Sequence, residues 1–358
     1  MDIGTLFLGD YFAMRQHFIK LANDNGFLIE SFENPHKGPN YKPVFMDFAS
    51  AGSEDAKSLL VIISGTHGPE GYCGSAIQSG LLKSSKAKQW ANKHKILFVH
   101  AHNPFGFAWD VRFNEDNVDL NRNYLDDFTN LPENLLYDEI KDWAVPQDLS
   151  EDGLNYSIKN LMNYARSNGF QKLQSALTAG QYSHPSGVYY GGNSPTWSHL
   201  ILKNHIGKYA ECIDNIVFID IHTGLGDYGK CELISSLPNG TIGFEKLHKI
   251  WGDEVKSSAT GDSVSAKLNG CLDIAMMKHL GENRTSFIAA EFGTIDPISV
   301  FRATQAATWL LNNDGLNTEL GEMVRAQNRA AFYPNDLEWY NSVWHKAEEI
   351  ISKAVDNL

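Results

Sequence analysis

The chain has 358 residues, 42% hydrophobic and 20% charged, enough to bury the core of one large α/β domain or two modest ones. With 30 basic and 43 acidic residues its net charge is −13, which excludes a general nucleic-acid binder, a function that needs a basic face. No apolar run approaches the roughly 20 residues of a membrane span.

The N-terminal stretch MDIGTLFLGDYFAMRQHF carries an acid at Asp2 and no basic segment ahead of its short apolar patch. It does not read as a signal peptide, so the expected location is the cytoplasm. Apolar runs at 43–49, 58–64, 95–101, 215–222, 231–237 and 286–292 predict strands, several of them apolar at nearly every position, as strands covered on both faces are. Helical patterns fall between and after them, at 73–85, 154–167, 242–255, 296–313 and 334–355. The fourth opens with Asp296 as N-cap and Pro297 at the first helical position. Strands alternating with helices predict a three-layer α/β/α fold around a mostly parallel mixed sheet. No repeat, linker or low-complexity tract divides the chain, so residues 1–358 are expected to form a single domain. Cys73, Cys212, Cys231 and Cys271 lie far apart with no CxxC pair, so neither a zinc ribbon nor a disulfide framework is expected.

Ligands of such sheets bind at the carboxyl ends of the strands. The polar residues that follow the apolar runs are therefore the ones to examine. After SLLVIIS come His67 and Glu70; after KILFVHA come Asn103 and then RFNEDNVDLNRN; NIVFIDIH ends on His222; and SFIAAEF contains Glu291. His67, Glu70 and His222 supply two imidazoles and a carboxylate, the three-ligand pattern of a catalytic zinc with one open position. A lone HxxE is also what two ordinary polar residues in a Gly-rich turn look like. Arg122 and Asn121 read as a fork and amide for a carboxylate, and Arg112 as a group that polarises a carbonyl. The same run also reads as a solvated loop with internal Asp–Arg pairs. Glu291 in an apolar segment is costly unless paired or functional; a general base and a structural carboxylate both account for it.

Taken in order, His67-x-x-Glu70, Arg112, Asn121-Arg122, His222 and Glu291 resemble the zinc metallocarboxypeptidase family. The segments SGTHGPEGYCGSAIQ, HNPFGFAWDVRFNEDNVDLNRNY and DIHTGLGDYG look most like a bacterial branch of it that is filed as a domain of unknown function. The resemblance spans about residues 60–295. It implies one Zn2+ per chain on His67, Glu70 and His222, with Glu291 as general base. It implies oxyanion stabilisation by Arg112 and capture of a substrate's terminal carboxylate by Asn121 and Arg122. Asp119 matches the acid that orients the first zinc His, and Asp220 shares a face with His222.

The expected activity is hydrolysis of amide bonds in small peptides bearing a terminal carboxylate. A second version is an N-acyl amino acid deacylase like aspartoacylase or succinylglutamate desuccinylase, with an acylated amino acid as substrate. Other classes are a non-catalytic binding module on a peptidase scaffold and a thiol enzyme using Cys73. No nucleic-acid or membrane partner is expected. Tyr189, Tyr190 and Tyr228 are candidates for a residue that caps the substrate, and the segment 184–199 for a rim over the pocket.

Overall fold

The computed structural model describes residues 1–358. Eight strands form one sheet: β1 (Leu28–Lys37), β2 (Pro43–Ala51), β3 (Ser58–Ile63), β4 (Lys95–His100), β5 (Asn215–Tyr228), β6 (Cys231–Ser235), β7 (Val255–Ser257) and β8 (Thr285–Gly293). Their order is β1-β2-β4-β3-β5-β8-β6-β7. The centre, β4-β3-β5-β8, is parallel throughout, whereas β1 and β2 on one side and the β6–β8 pair on the other are antiparallel. The sheet is thus mixed, with its parallel part where the apolar runs are most continuous.

Strand alternation sorts the core into two halves. Leu60, Ile62, Phe98, Val217 and Ile219 point to one face, where they meet the helices Tyr11–Asp24, Gly71–Lys83 and Leu337–Asp356. Leu59, Val61, Val99, Phe218 and Phe287 point to the other, against Trp197–Tyr209 and Leu272–Leu280. This is the expected α/β/α layering, produced by the two-residue period of strands covered on both sides. No helix is long and apolar enough to cross a membrane.

The six expected strands are present within a few residues. β1 is absent from the expectation because its run, LIESFENPHK, alternates poorly and is mostly exposed at the sheet edge. The pattern over 242–255 ends earlier than expected, at Trp251, where Gly252 takes a left-handed φ of 66° and the chain turns into the short β7.

Two features of this frame aim the site. Asp220 and His222 have the parity of Phe218, and Ala289 and Glu291 that of Phe287, so all four project from the same face. β5 and β8 also pair in register, with His222 opposite Glu291.

Candidate active site

His67 and Glu70 lie in the turn between β3 and the Gly71–Lys83 helix. The turn is packed tightly enough that a Cβ on Gly68 would sit 2.1 Å from the backbone of Gly106 and Val111. The neighbouring strand, β5, delivers His222. The Nδ1 atoms of both imidazoles converge on Glu70: His67 Nδ1 is 2.9 Å from Oε1 and His222 Nδ1 is 2.9 Å from Oε2. The Thr223 N–H donates to Oε2 at 3.1 Å and fixes the carboxylate further. All three residues are buried, and one donor atom from each lies within 4.8 Å of the others, a set able to hold a metal ion.

Behind each imidazole stands a second carboxylate. His67 Nε2 is 3.1 Å from Asp119 Oδ1, and His222 Nε2 is 2.7 Å from Asp220 Oδ2. Asp220 is itself held by the Thr66 hydroxyl at 2.9 Å. A neutral imidazole has one N–H and satisfies one carboxylate, not two. His222, with a carboxylate on each nitrogen, therefore needs either an extra proton or a cation at Nδ1. Without a cation the protein supplies the proton: against the effect of burial, Asp220 and Glu70 raise the His222 pKa well above the ordinary histidine range. The local charge points the same way. Counted with Glu291 ionised and both imidazoles neutral, the carboxylates of Glu70, Asp119, Asp220 and Glu291 exceed the guanidiniums of Arg112 and Arg122 by two charges, the charge of one divalent cation.

Arg112 spans this cluster. It donates through Nη1 to Glu70 Oε1 at 3.1 Å and through Nε to Asp119 Oδ2 at 3.2 Å, and its Nη2 is 2.9 Å from His67 Nε2. Burial works against the charge of Asp119, yet Arg122, Arg112 and His67 hold its carboxyl well below the usual range. Asp119 also caps the single turn Leu120–Arg122 by accepting from the Asn121 N–H. In Arg122 three of the five N–H groups are already engaged: Nε and Nη2 donate to Thr178 O at 2.9 and 2.6 Å, and Nη1 to Asn121 O at 2.8 Å. One N–H on each terminal nitrogen remains. Asn121 accepts at Oδ1 from the Leu272 N–H, which leaves its amide as a donor.

Glu291 opens into the same space. Its Oε1 accepts from the Leu225 N–H at 2.9 Å. Desolvation, followed by the negative charge of Glu70, pushes its carboxyl up to about 7. A carboxyl there is poised to gain or lose a proton near neutrality.

His67, Glu70, Arg112, Asn121, Arg122, Asp220, His222 and Glu291 line one cavity of about 640 Å³, with Asp119 behind its wall. The floor is formed by Leu272, Phe287, Ala289 and the buried Asp273, whose carboxylate accepts from the Ser236 and Ile274 N–H groups. Of the tyrosines singled out in the sequence, Tyr189 reaches the cavity, its ring 5.2 Å from the Arg112 guanidinium and 5.6 Å from that of Arg122. Tyr190 is buried outside it, and Tyr228 bonds Asp336 at the surface. Segment 184–199 thus contributes Tyr189 alone. The rim is built instead by residues 158–178, whose stripe at Ile158, Leu161 and Met162 was visible in the sequence only as helix periodicity. His100, His102 and His184 bond Ser75, Tyr124 and Asp138 and join no metal-holding group. Cys73 is buried, and burial pushes its thiol well above the ordinary range, the reverse of an activated nucleophile.

The sequence matches the family model DUF2817, described as a protein of unknown function, over residues 7–346. The chain belongs to this family. No curated protein matches it. Among solved structures it is similar to bovine thrombin-activatable fibrinolysis inhibitor bound to tick carboxypeptidase inhibitor, with 11% identity, coverage of 96% of this chain and 97% of that one, and a TM-score of 0.47. It is also similar to a metallo-carboxypeptidase from Burkholderia cenocepacia (12% identity, 84% and 68% coverage, TM-score 0.38). An aspartoacylase family protein from Mesorhizobium loti matches with 16% identity, 80% and 67% coverage and a TM-score of 0.38.

Proposed function

We propose that this member of the DUF2817 family is a zinc-dependent hydrolase that cleaves amide bonds in small peptides bearing a free terminal carboxylate. The observation that carries the reading is the double carboxylate at His222: a ring with an acid on both nitrogens, its Nδ1 sharing Glu70 with the Nδ1 of His67. Two imidazoles and one carboxylate suit zinc, and Asp119 and Asp220 fix the ring orientation and raise ligand basicity. His67, Glu70 and His222 would hold the ion, which would supply a Lewis acid and a water of pKa about 7.

The remaining steps belong to the chain. Glu291 takes a proton from the attacking water and returns it to the leaving nitrogen; a carboxyl of pKa about 7 does both near neutrality. Arg112 faces negative charge developing on the scissile carbonyl oxygen. Asn121 and the two free N–H groups of Arg122 hold the terminal carboxylate, fixing which bond reaches Glu291. The same donors suit an N-acyl amino acid, whose carboxylate is also terminal, and the deacylase reading keeps every one of these roles.

The test is a mass-spectrometric cleavage screen of the zinc-loaded protein over peptides with free or blocked termini and N-acyl amino acids, with Glu291→Gln as control. Cleavage that requires a free carboxylate and is lost in the control supports the assignment. Cleavage indifferent to the carboxylate overturns the roles of Asn121 and Arg122, and cleavage retained by the control overturns that of Glu291.

A further inference from the structure

The cavity has a closed end and an open end of different character. The closed end is the floor, where Leu272 and Phe287 are buried and Asp273 and Ser236 add polar groups. The open end is a helical hairpin, Glu151–Asn168 and Phe170–Thr178, joined by Gly169 at φ 94°. Each helix turns a stripe toward the cavity: Ile158, Leu161 and Met162 on the first, Phe170, Leu173 and Leu177 on the second. These follow the i, i+3, i+4 and i, i+3, i+7 spacings of one helix face.

Such stripes ordinarily disappear into a core, and here half of this one does. Leu161, Leu173 and Leu177 are buried with Val188 and Tyr189, whereas Ile158 and Met162 are half-buried and Phe170 is 65% exposed. Facing them, the helix that follows β8 adds Ile298, which is 44% exposed, and the half-buried Phe301. Exposed large apolar side chains lining a cleft mark a binding surface rather than scattered surface residues. The hairpin is also tied to the carboxylate-holding groups, because Thr178 O at its end accepts from Arg122. Eight residues of helix, about 12 Å of rise, separate Thr178 from Phe170. The apolar surface therefore runs from Arg122 outward to the mouth.

We infer that the part of the substrate on the acyl side of the scissile bond is apolar and lies along this hairpin, so that the preferred substrates carry an extended aliphatic or aromatic group there. The inference rests on the hydrolase reading above: a terminal carboxylate held at Arg122 puts the terminal residue at the closed end and leaves the open end for what precedes it.

The experiment uses the full chain and N-acetyl-, N-hexanoyl- and N-decanoyl-alanine, read both as turnover by the wild type and as calorimetric binding to Glu291→Gln. Affinity is expected to rise at least ten-fold from acetyl to decanoyl. The double variant Phe170→Ser/Ile298→Ser, altered at exposed positions that the fold does not rely on, is expected to flatten the gradient, and Phe170→Leu to retain it. A gradient in binding without turnover of any member, together with no cleavage of peptides in the screen above, sinks the hydrolase reading and leaves the apolar mouth standing. Affinity independent of chain length, or a gradient unchanged in the double variant, overturns the inference.

Discussion

His222 and Glu291 stand directly opposite each other on the parallel strands β5 and β8, one strand spacing apart, with both side chains turned into the same cleft. Parallel strands meet in register at about 4.8 Å, so this pairing places an imidazole of the candidate metal-holding set beside a carboxyl without any loop having to be ordered between them. This half of the site is a property of the sheet, whereas His67 and Glu70 come from the turn after β3.

Glu291→Gln is expected to lower kcat at least 10³-fold while zinc content, read by elemental mass spectrometry, stays at one per chain. Because the base works deprotonated, the wild-type rate should fall on the acid side of its pH profile, and the residual rate of the variant should lack that limb. A full-strength variant would remove Glu291 from the chemistry.

The same carboxyl makes a stability prediction for the metal-free protein. Its folded pKa is raised from an ordinary 4.5 to about 7, so the native state binds the proton more tightly and stability is lost as pH rises through that window. Metal-free Glu291→Gln should therefore melt higher than metal-free wild type at pH 8 and close to it at pH 4.5. Thermal melts at the two pH values check this, and equal melting at pH 8 contradicts it.

Asp119→Asn and Asp220→Asn each remove an acid behind a ring rather than a ligand. Both should weaken zinc binding 10- to 100-fold in a chelator competition, with the fold retained by circular dichroism. Removing the metal with a chelator should abolish hydrolysis, and zinc should restore it.

Arg122→Gln should raise KM for substrates with a free carboxylate about 100-fold and leave their amidated analogues unaffected, since a charge-assisted pair contributes a few kcal/mol. Equal loss on both substrate types would show that Arg122 acts through its bonds to Thr178 instead.

Gly68→Ala tests the turn. Its Cβ would lie 2.1 Å from backbone atoms of Gly106 and Val111, which have no flexible end to move aside. A loss of about 3 kcal/mol in denaturant unfolding is expected, together with weakened metal binding, because Gly68 lies between His67 and Glu70. Wild-type stability would mean that the turn opens readily.

The sequence alone determined which chemical groups meet. His67, Glu70 and His222 sit at or just beyond the ends of apolar runs and Glu291 within one, and the α/β alternation sends those ends to one edge for a general reason: parallel strands joined by helices all point the same way. Arg112, Asn121 and Arg122 lie 11 to 21 positions past the run 95–101, so the sequence names them through the order of the motifs rather than through a strand end. Its local patterns also gave the six best-defined strands. Three things were decided only by the tertiary structure. The acids behind His67 and His222 depend on strand register and on a turn packed across the sheet. The upward shift of Glu291 arises from burial and from Glu70, which is 221 positions away in sequence and a neighbour only in the fold. The cavity mouth comes from the hairpin at 151–178, whose apolar stripe is indistinguishable in sequence from one that packs into a core. Local periodicity records that a face is apolar; what covers that face is set by which other segment the chain brings back to it.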